Sequence, residues 1–166
     1  MATASNSAIR ECFAQASARR NVSPRRKPLA QQVRDLRLNS GNGKRLKATD
    51  YLYHNTRSEN AGAIMSRGLR SALFHDTVDP EQAELYRDLS VIWFTDCPTE
   101  FLDEDSAQFR VRIGDLVQLA GELFDPGQRG DGKHFFFGIE STPRAPREIT
   151  IPAAILEITA GAHHLS

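Results

Sequence analysis

From residue 51 onward, apolar and polar positions alternate, change period, and alternate again. In YLYHNT, Leu52 and His54 fall on one face of an extended strand, with Tyr51, Tyr53 and Asn55 on the other. Ala61, Ile64, Met65 and Leu69 then recur at helical spacing. Ser58 is placed to cap that helix, and Gly68 to end it with a positive φ. SALFHDTVDP (71–80) reads as a loop, and PEQAELYRDL (80–89) as a short helix opened by Pro80 with Glu81 in its first turn. SVIWFTD (90–96) is an apolar run of strand length that stops at Asp96-Cys97-Pro98, and PTEFLDEDS is an acidic turn region. QFRVRIG (108–114) sets Phe109, Val111 and Ile113 against Arg110 and Arg112, the pattern of a half-exposed strand. LVQLAGELF (116–124) fits either a helix or a pair of strands. DPGQRGDGKH, with three glycines, reads as a loop. KHFFFGIES and PREITIPAAILEIT supply the last strands, separated by STPRAP and interrupted at Pro152.

Short strands dominate, and helices fall mainly in the first half. The elements do not alternate into regular βαβ units. The expected class is therefore α+β, with a mixed or split β-sheet and short helices rather than a doubly wound sheet.

The first fifty residues have a different pattern. Ser5 is placed to cap a helix with Ala8, Ile9, Cys12, Phe13 and Ala16 along one side. It ends before NVSPRRKP, a linker by its prolines; a weaker helix spans Leu29 to Leu38, and NSGNGK reads as a turn. Charge divides at the same place. Residues 1–50 carry 11 Lys or Arg and 3 Asp or Glu, and residues 51–166 carry 10 and 18, so a net charge of zero conceals +8 and −8. The expectation is a flexible basic arm over 1–49, a folded domain over 50–162 and a short tail over 163–166. Three uses of the arm are open: targeting or delivery, binding an acidic surface, and contact with the acidic domain. Nucleic acid is not favoured, because the arm lacks interleaved aromatics.

No apolar run approaches the roughly 20 residues that span a bilayer, and MATASNSAIR lacks the apolar core of a secretory signal. A soluble protein is expected. Cys12 and Cys97 read as reduced thiols. His54, His75, His134 and the His163-His164 pair are not grouped with cysteines at ligand spacing, so no metal site is expected. Glycine-rich phosphate loops and serine nucleophile elbows are absent from the sequence. Three positions carry candidate chemistry. His54, at a strand end, suits a ligand hydroxyl or a structural hydrogen bond. Trp93 and Phe94 face opposite sides of one strand, so one can fill the core while the other stacks on a planar ring. Glu148, opening EITIPAAI, suits a sugar hydroxyl and developing positive charge, or solvent.

Taken together in order, YLYHNTRSENAGAIMSRGL, VIWFTD and REITIP resemble the three signature segments of the histidine-type ADP-ribosyltransferase family, small bacterial mono-ADP-ribosyltransferase toxins or effectors among them. The resemblance spans residues 51–158 and leaves the arm outside. It implies an ADP-ribosyltransferase-like sheet, and transfer of ADP-ribose from NAD to a macromolecular, expectedly protein, target with release of nicotinamide. It implies that His54 and Glu148 are catalytic, that His54, Asn55, Thr56, Trp93 and Phe94 contact NAD, and that the protein is secreted or delivered into a host cell, or else cytoplasmic. Asn55 stands where the family usually has glycine, and Trp93 where it usually has tyrosine. Two other outcomes fit the resemblance: a catalytically inactive domain binding a protein or peptide, and an NAD-dependent RNA 2′-phosphotransferase.

Overall fold

A computed structural model describes residues 5–21, 27–71, 88–99, 102–126, 133–142 and 144–161. The loop and helix expected over 71–89 fall largely outside these residues; Leu89 already belongs to a strand. The glycine loop at 127–132, His75, His163, His164 and the tail also lie outside them.

Helix α1 spans Asn6–Asn21. It opens as expected, with the Ala8 N–H donating to Ser5 Oγ (3.2 Å) and the Ile9 N–H to Ser5 O (3.0 Å). Helix α2 (Leu29–Asp35) follows Pro28 and is shorter than expected. Past its end Arg37 adopts a left-handed φ of 54°, and the chain turns back through the Asn39↔Arg45 bridge. Strand β1 (Tyr51–Arg57) leads into a 3-10 turn (Ser58–Asn60) and helix α3 (Ala61–Arg67). Ser58 opens the turn rather than capping the helix by its side chain. Gly68 ends α3 as expected: its φ is 89°, and its N–H donates to Ile64 O (2.8 Å). Strands β2 (Leu69–Arg70), β3 (Leu89–Thr95) and β4 (Ser106–Arg112) follow. Ile113, expected in a strand, instead starts the short helix α4 (Ile113–Leu116). β5 (Glu122–Phe124), β6 (His134–Glu140), β7 (Thr150–Ile151) and β8 (Glu157–Ala160) complete the fold. LVQLAGELF is thus the end of α4, a turn and β5.

The fold is α+β with two sheets. Six strands lie in the order β5-β6-β3-β1-β4-β8, and β2 pairs with β7. Every strand pairing among the described residues is antiparallel, so the strands are divided but not mixed in direction. β3 and β6 pair along their whole length, from Leu89↔Glu140 to Thr95↔His134, as do β1 and β4, from Tyr51↔Arg112 to Arg57↔Ser106. Between these halves, β1 and β3 meet at a single register pair, Tyr53↔Thr95. The large sheet therefore has a seam at its centre.

One face of the large sheet makes the main core. Leu52, Phe94, Ala107, Phe109, Val111, Phe135 and Phe137 are all 0% exposed there, packed with Ile64, Leu69, Ile151 and Leu156. The other face has a smaller core in which Ile9, with Cys12 and Phe13, covers Leu89, Val91 and Phe124. The expected boundary at residue 49 does not separate an arm from a domain among the described residues. Val33 (1%), Leu38 and Leu46 belong to the main core, and Ile9 to the smaller one. A few apolar side chains on a basic segment suffice, because each buries area against a surface that the sheet would otherwise leave wet.

Candidate functional site

Where β1 runs past its single pair with β3, the surface opens into a groove of about 580 Å3. It is lined by Asn55, Thr56, Arg57, Ser58 and Glu59 from the end of β1 and the following turn, by Trp93, and by Asp103, Asp105 and Ser106 from the turn before β4. Strand register explains the convergence. Tyr53↔Thr95 and Asn55↔Gln108 place Asn55, Trp93 and Gln108 on one face of the sheet, opposite to the one that carries Phe94.

Trp93 is half-buried. Its ring centroid lies 5.5 Å from that of His54 and 5.6 Å from that of His134. His54 Nδ1 lies 2.8 Å from the Trp93 carbonyl oxygen. That oxygen can only accept, so the bond assigns the proton to Nδ1 and leaves Nε2 as the acceptor of the neutral ring. Burial holds the imidazole below its ordinary pKa, and the bond to the Trp93 carbonyl opposes that shift. His54 is not among the residues lining the groove; its bond to the Trp93 carbonyl ties the two halves of the sheet together across the seam.

The charge of the groove is mainly negative. Glu59, Asp103 and Asp105 contribute carboxylates against one guanidinium, Arg57, which lies 3.9 Å from Glu59. Asp103 is partly engaged by its own turn, accepting from Ser106 Oγ (2.6 Å) and the Asp105 N–H (3.0 Å).

Asn55 is the buried member of the lining, at 9% exposure. Its Oδ1 accepts from Gln108 Nε2 (3.0 Å), which also donates to the Pro98 carbonyl (2.6 Å), while Gln108 Oε1 accepts from Thr159 Oγ1 (2.6 Å).

The expected site residues therefore separate. Asn55, Thr56 and Trp93 converge in the groove. Phe94, expected to contact a cofactor, is 0% exposed in the main core and presents no surface to a ligand. Glu148 is not part of the groove lining. It precedes β7, where Arg70 of the paired strand β2 holds it with two bonds, Nε to Oε1 and Nη2 to Oε2 (2.7 Å). That carboxylate raises the Arg70 pKa, chiefly through the hydrogen bond. Sequence reading missed Gln108, Arg70, and the groove position of Asp103 and Asp105. The acidity of PTEFLDEDS was visible, but not which surface it would line. Among the described residues no three His, Cys, Asp or Glu side chains converge as a metal site, and no helix is long and apolar enough to cross a membrane. Cys12 and Cys97 are free thiols.

Comparison of the chain with protein-family models, with curated proteins and with solved structures yields no match.

Proposed function

We propose that the protein transfers ADP-ribose from NAD to a macromolecular target, with the groove beside Trp93 receiving the nicotinamide end. The observation that carries this reading is an indole beside carboxylates at the seam of the sheet. The nicotinamide ring of NAD is planar and cationic. It gains stacking and cation–π attraction from an indole, and Coulomb attraction from Glu59, Asp103 and Asp105. In the transfer the bond between the ribose anomeric carbon and the nicotinamide nitrogen breaks, and its electron pair leaves with the now neutral nicotinamide. Positive charge passes to the ribose, the acceptor nucleophile bonds to the same carbon, and that nucleophile gives up its proton to solvent. Glu148 is assigned to the charged ribose, which requires Arg70 to share or release it. His54 is assigned a positioning part, holding the Trp93 backbone. The proposed target is a protein, as the resemblance implies, and so is the setting of a delivered effector.

One observation favours a second reading, a domain of this fold that binds a protein or peptide without chemistry: Glu148 is engaged by Arg70 and stands apart from the groove lining. An RNA 2′-phosphotransferase is the weakest of the three, because carboxylates at the groove repel an RNA phosphate. Calorimetric titration of NAD into the full chain, beside Trp93→Ala, separates the readings. Saturable binding that the folded variant loses supports ADP-ribosyl transfer. A folded wild-type chain that binds no NAD overturns it in favour of the partner-binding domain.

A further inference from the structure

We infer that the exposed half of one sheet face, built on Tyr51, Arg110 and Arg112, docks an extended protein segment that carries carboxylates at alternate positions and turns basic where it reaches the groove. The inference needs a protein partner, as the first two readings above do, and does not need NAD to bind.

Register puts Tyr51, Tyr53, Arg110 and Arg112 on the face that carries Trp93. Helix α1 packs on the β5-β6-β3 half of that face, over Leu89, Val91, Phe124 and Phe136. The β1-β4-β8 half lies outside that small core: Tyr51, Tyr53 and Arg110 are half-buried, and Arg112 and Glu157 are exposed. Tyr51 holds both guanidiniums in place. That of Arg110 stacks over its ring, 4.2 Å from the centroid, and Arg112 Nε donates to its hydroxyl (3.0 Å), which donates in turn to Glu157 Oε1 (3.3 Å). Arginines fixed in this way lose little side-chain freedom when they take an anion. Glu157 answers one of the two, accepting from Arg110 Nε (2.9 Å) and Nη2 (2.6 Å). Among the described residues Arg112 has no carboxylate within bonding distance; Glu157 and Asp115 act on it only through space.

The charge changes sign along the same two strands. The pair Tyr51↔Arg112 lies six residues from Arg57↔Ser106, about 20 Å at the rise of a strand, and the second pair borders the groove with its carboxylates Glu59, Asp103 and Asp105. An extended peptide repeats its side chains on one face every second residue, as Arg110 and Arg112 do, about 6.6 Å apart. Carboxylates at alternate positions therefore meet both arginines, and basic side chains further along meet the groove. A peptide can change charge over that distance. A nucleic-acid strand cannot, so phosphates drawn to the two arginines would meet repulsion at the groove.

The probe is a fluorescent eight-residue peptide, about 26 Å long when extended, with Glu at alternate positions in one half and Lys at alternate positions in the other. Its binding to the full chain is followed by fluorescence anisotropy, beside a peptide of the same composition with the charges interleaved and an oligouridylate of the same length. The blocked peptide is expected to bind saturably, at least about fivefold tighter than the interleaved one, and Arg112→Gln to weaken it by a similar factor. Glu157→Gln removes the carboxylate that competes for Arg110 and is expected to tighten binding at least about twofold; residues that merely support the sheet would not bind a ligand better on losing an ion pair. A folded wild-type chain that binds no peptide or both peptides alike, a folded Arg112→Gln that binds as wild type, or a folded Glu157→Gln that binds no tighter each overturns the inference. Preference for the oligouridylate overturns it in favour of nucleic acid. Calorimetric titration of NAD into the same samples reads the groove separately. NAD binding without peptide binding overturns this inference alone, and peptide binding without NAD binding overturns the transfer reading and supports this one.

Discussion

His54, expected at a strand end, lies in the middle of β1, where it bridges the seam and its burial lowers its pKa. The sign of the pH effect follows. The unfolded ring titrates near 6.5 and the folded one lower, so between those values the unfolded chain binds more protons. The stability that depends on neutral His54 is complete above pH 6.5 and falls as pH drops towards the folded pKa. The thermal transition should therefore fall between pH 7 and pH 5, and less steeply in His54→Gln, as thermal scans across that range will show. An identical pH slope in the variant would remove His54 from the cause. Glu148 gives the second residue-scale prediction. Its pair with Arg70 is solvent-exposed and so contributes little to stability. Glu148→Gln should leave the thermal transition nearly unmoved while lowering ADP-ribosyl transfer by at least about tenfold. A folded variant with the wild-type rate would take Glu148 out of the mechanism.

At the scale of elements, the α3–β2 junction depends on Gly68. Its φ of 89° disfavours side chains, and an added Cβ would lie 2.5 Å from the Ile151 carbonyl oxygen of the paired strand β7. Gly68→Ala should destabilise the chain by about 1–3 kcal/mol, measured as a lower urea midpoint. Because β7 begins two residues after Glu148, the same variant should disturb the Arg70–Glu148 pair. Helix α1 is a second element whose role the packing reveals. Ile9 is 5% exposed against Leu89, Val91 and Phe124. Ile9→Ala should cost about 2–5 kcal/mol in the same measurement; a loss near zero would show that α1 is not part of the cooperative unit.

For the whole molecule, the charge split and the packing lead to different boundaries. Residues 1–50 carry the basic charge, yet Val33, Leu38 and Leu46 lie in the main core beside the sheet. Removing residues 1–49 should lower the thermal transition and expose apolar surface, seen as increased binding of a hydrophobic dye. An unchanged transition would restore the separate arm. The contrast has a physical basis. Net charge reports what a segment shows to solvent, whereas membership of a core depends on the few apolar side chains it buries.

Local pattern by itself determined the α+β class, strands β1, β3, β4 and β6, the Ser5 cap and the Gly68 stop, because alternation, helical spacing and turn chemistry act between near neighbours. The family resemblance, not the local pattern, marked Asn55 and Thr56 beside Trp93, residues that do converge. Tertiary structure decided the rest. Alternation puts Trp93 and Phe94 on opposite faces, but only packing decides that Phe94's face is the one buried in the main core, leaving Trp93 to the groove. Glu148 is held by Arg70, 78 positions earlier in the sequence, because β2 and β7 pair. Gln108, which alternation assigns to the face of two arginines, is buried because Asn55, Pro98 and Thr159 close around it from three other segments. Such contacts are set by long-range pairing, which no local period in the chain encodes.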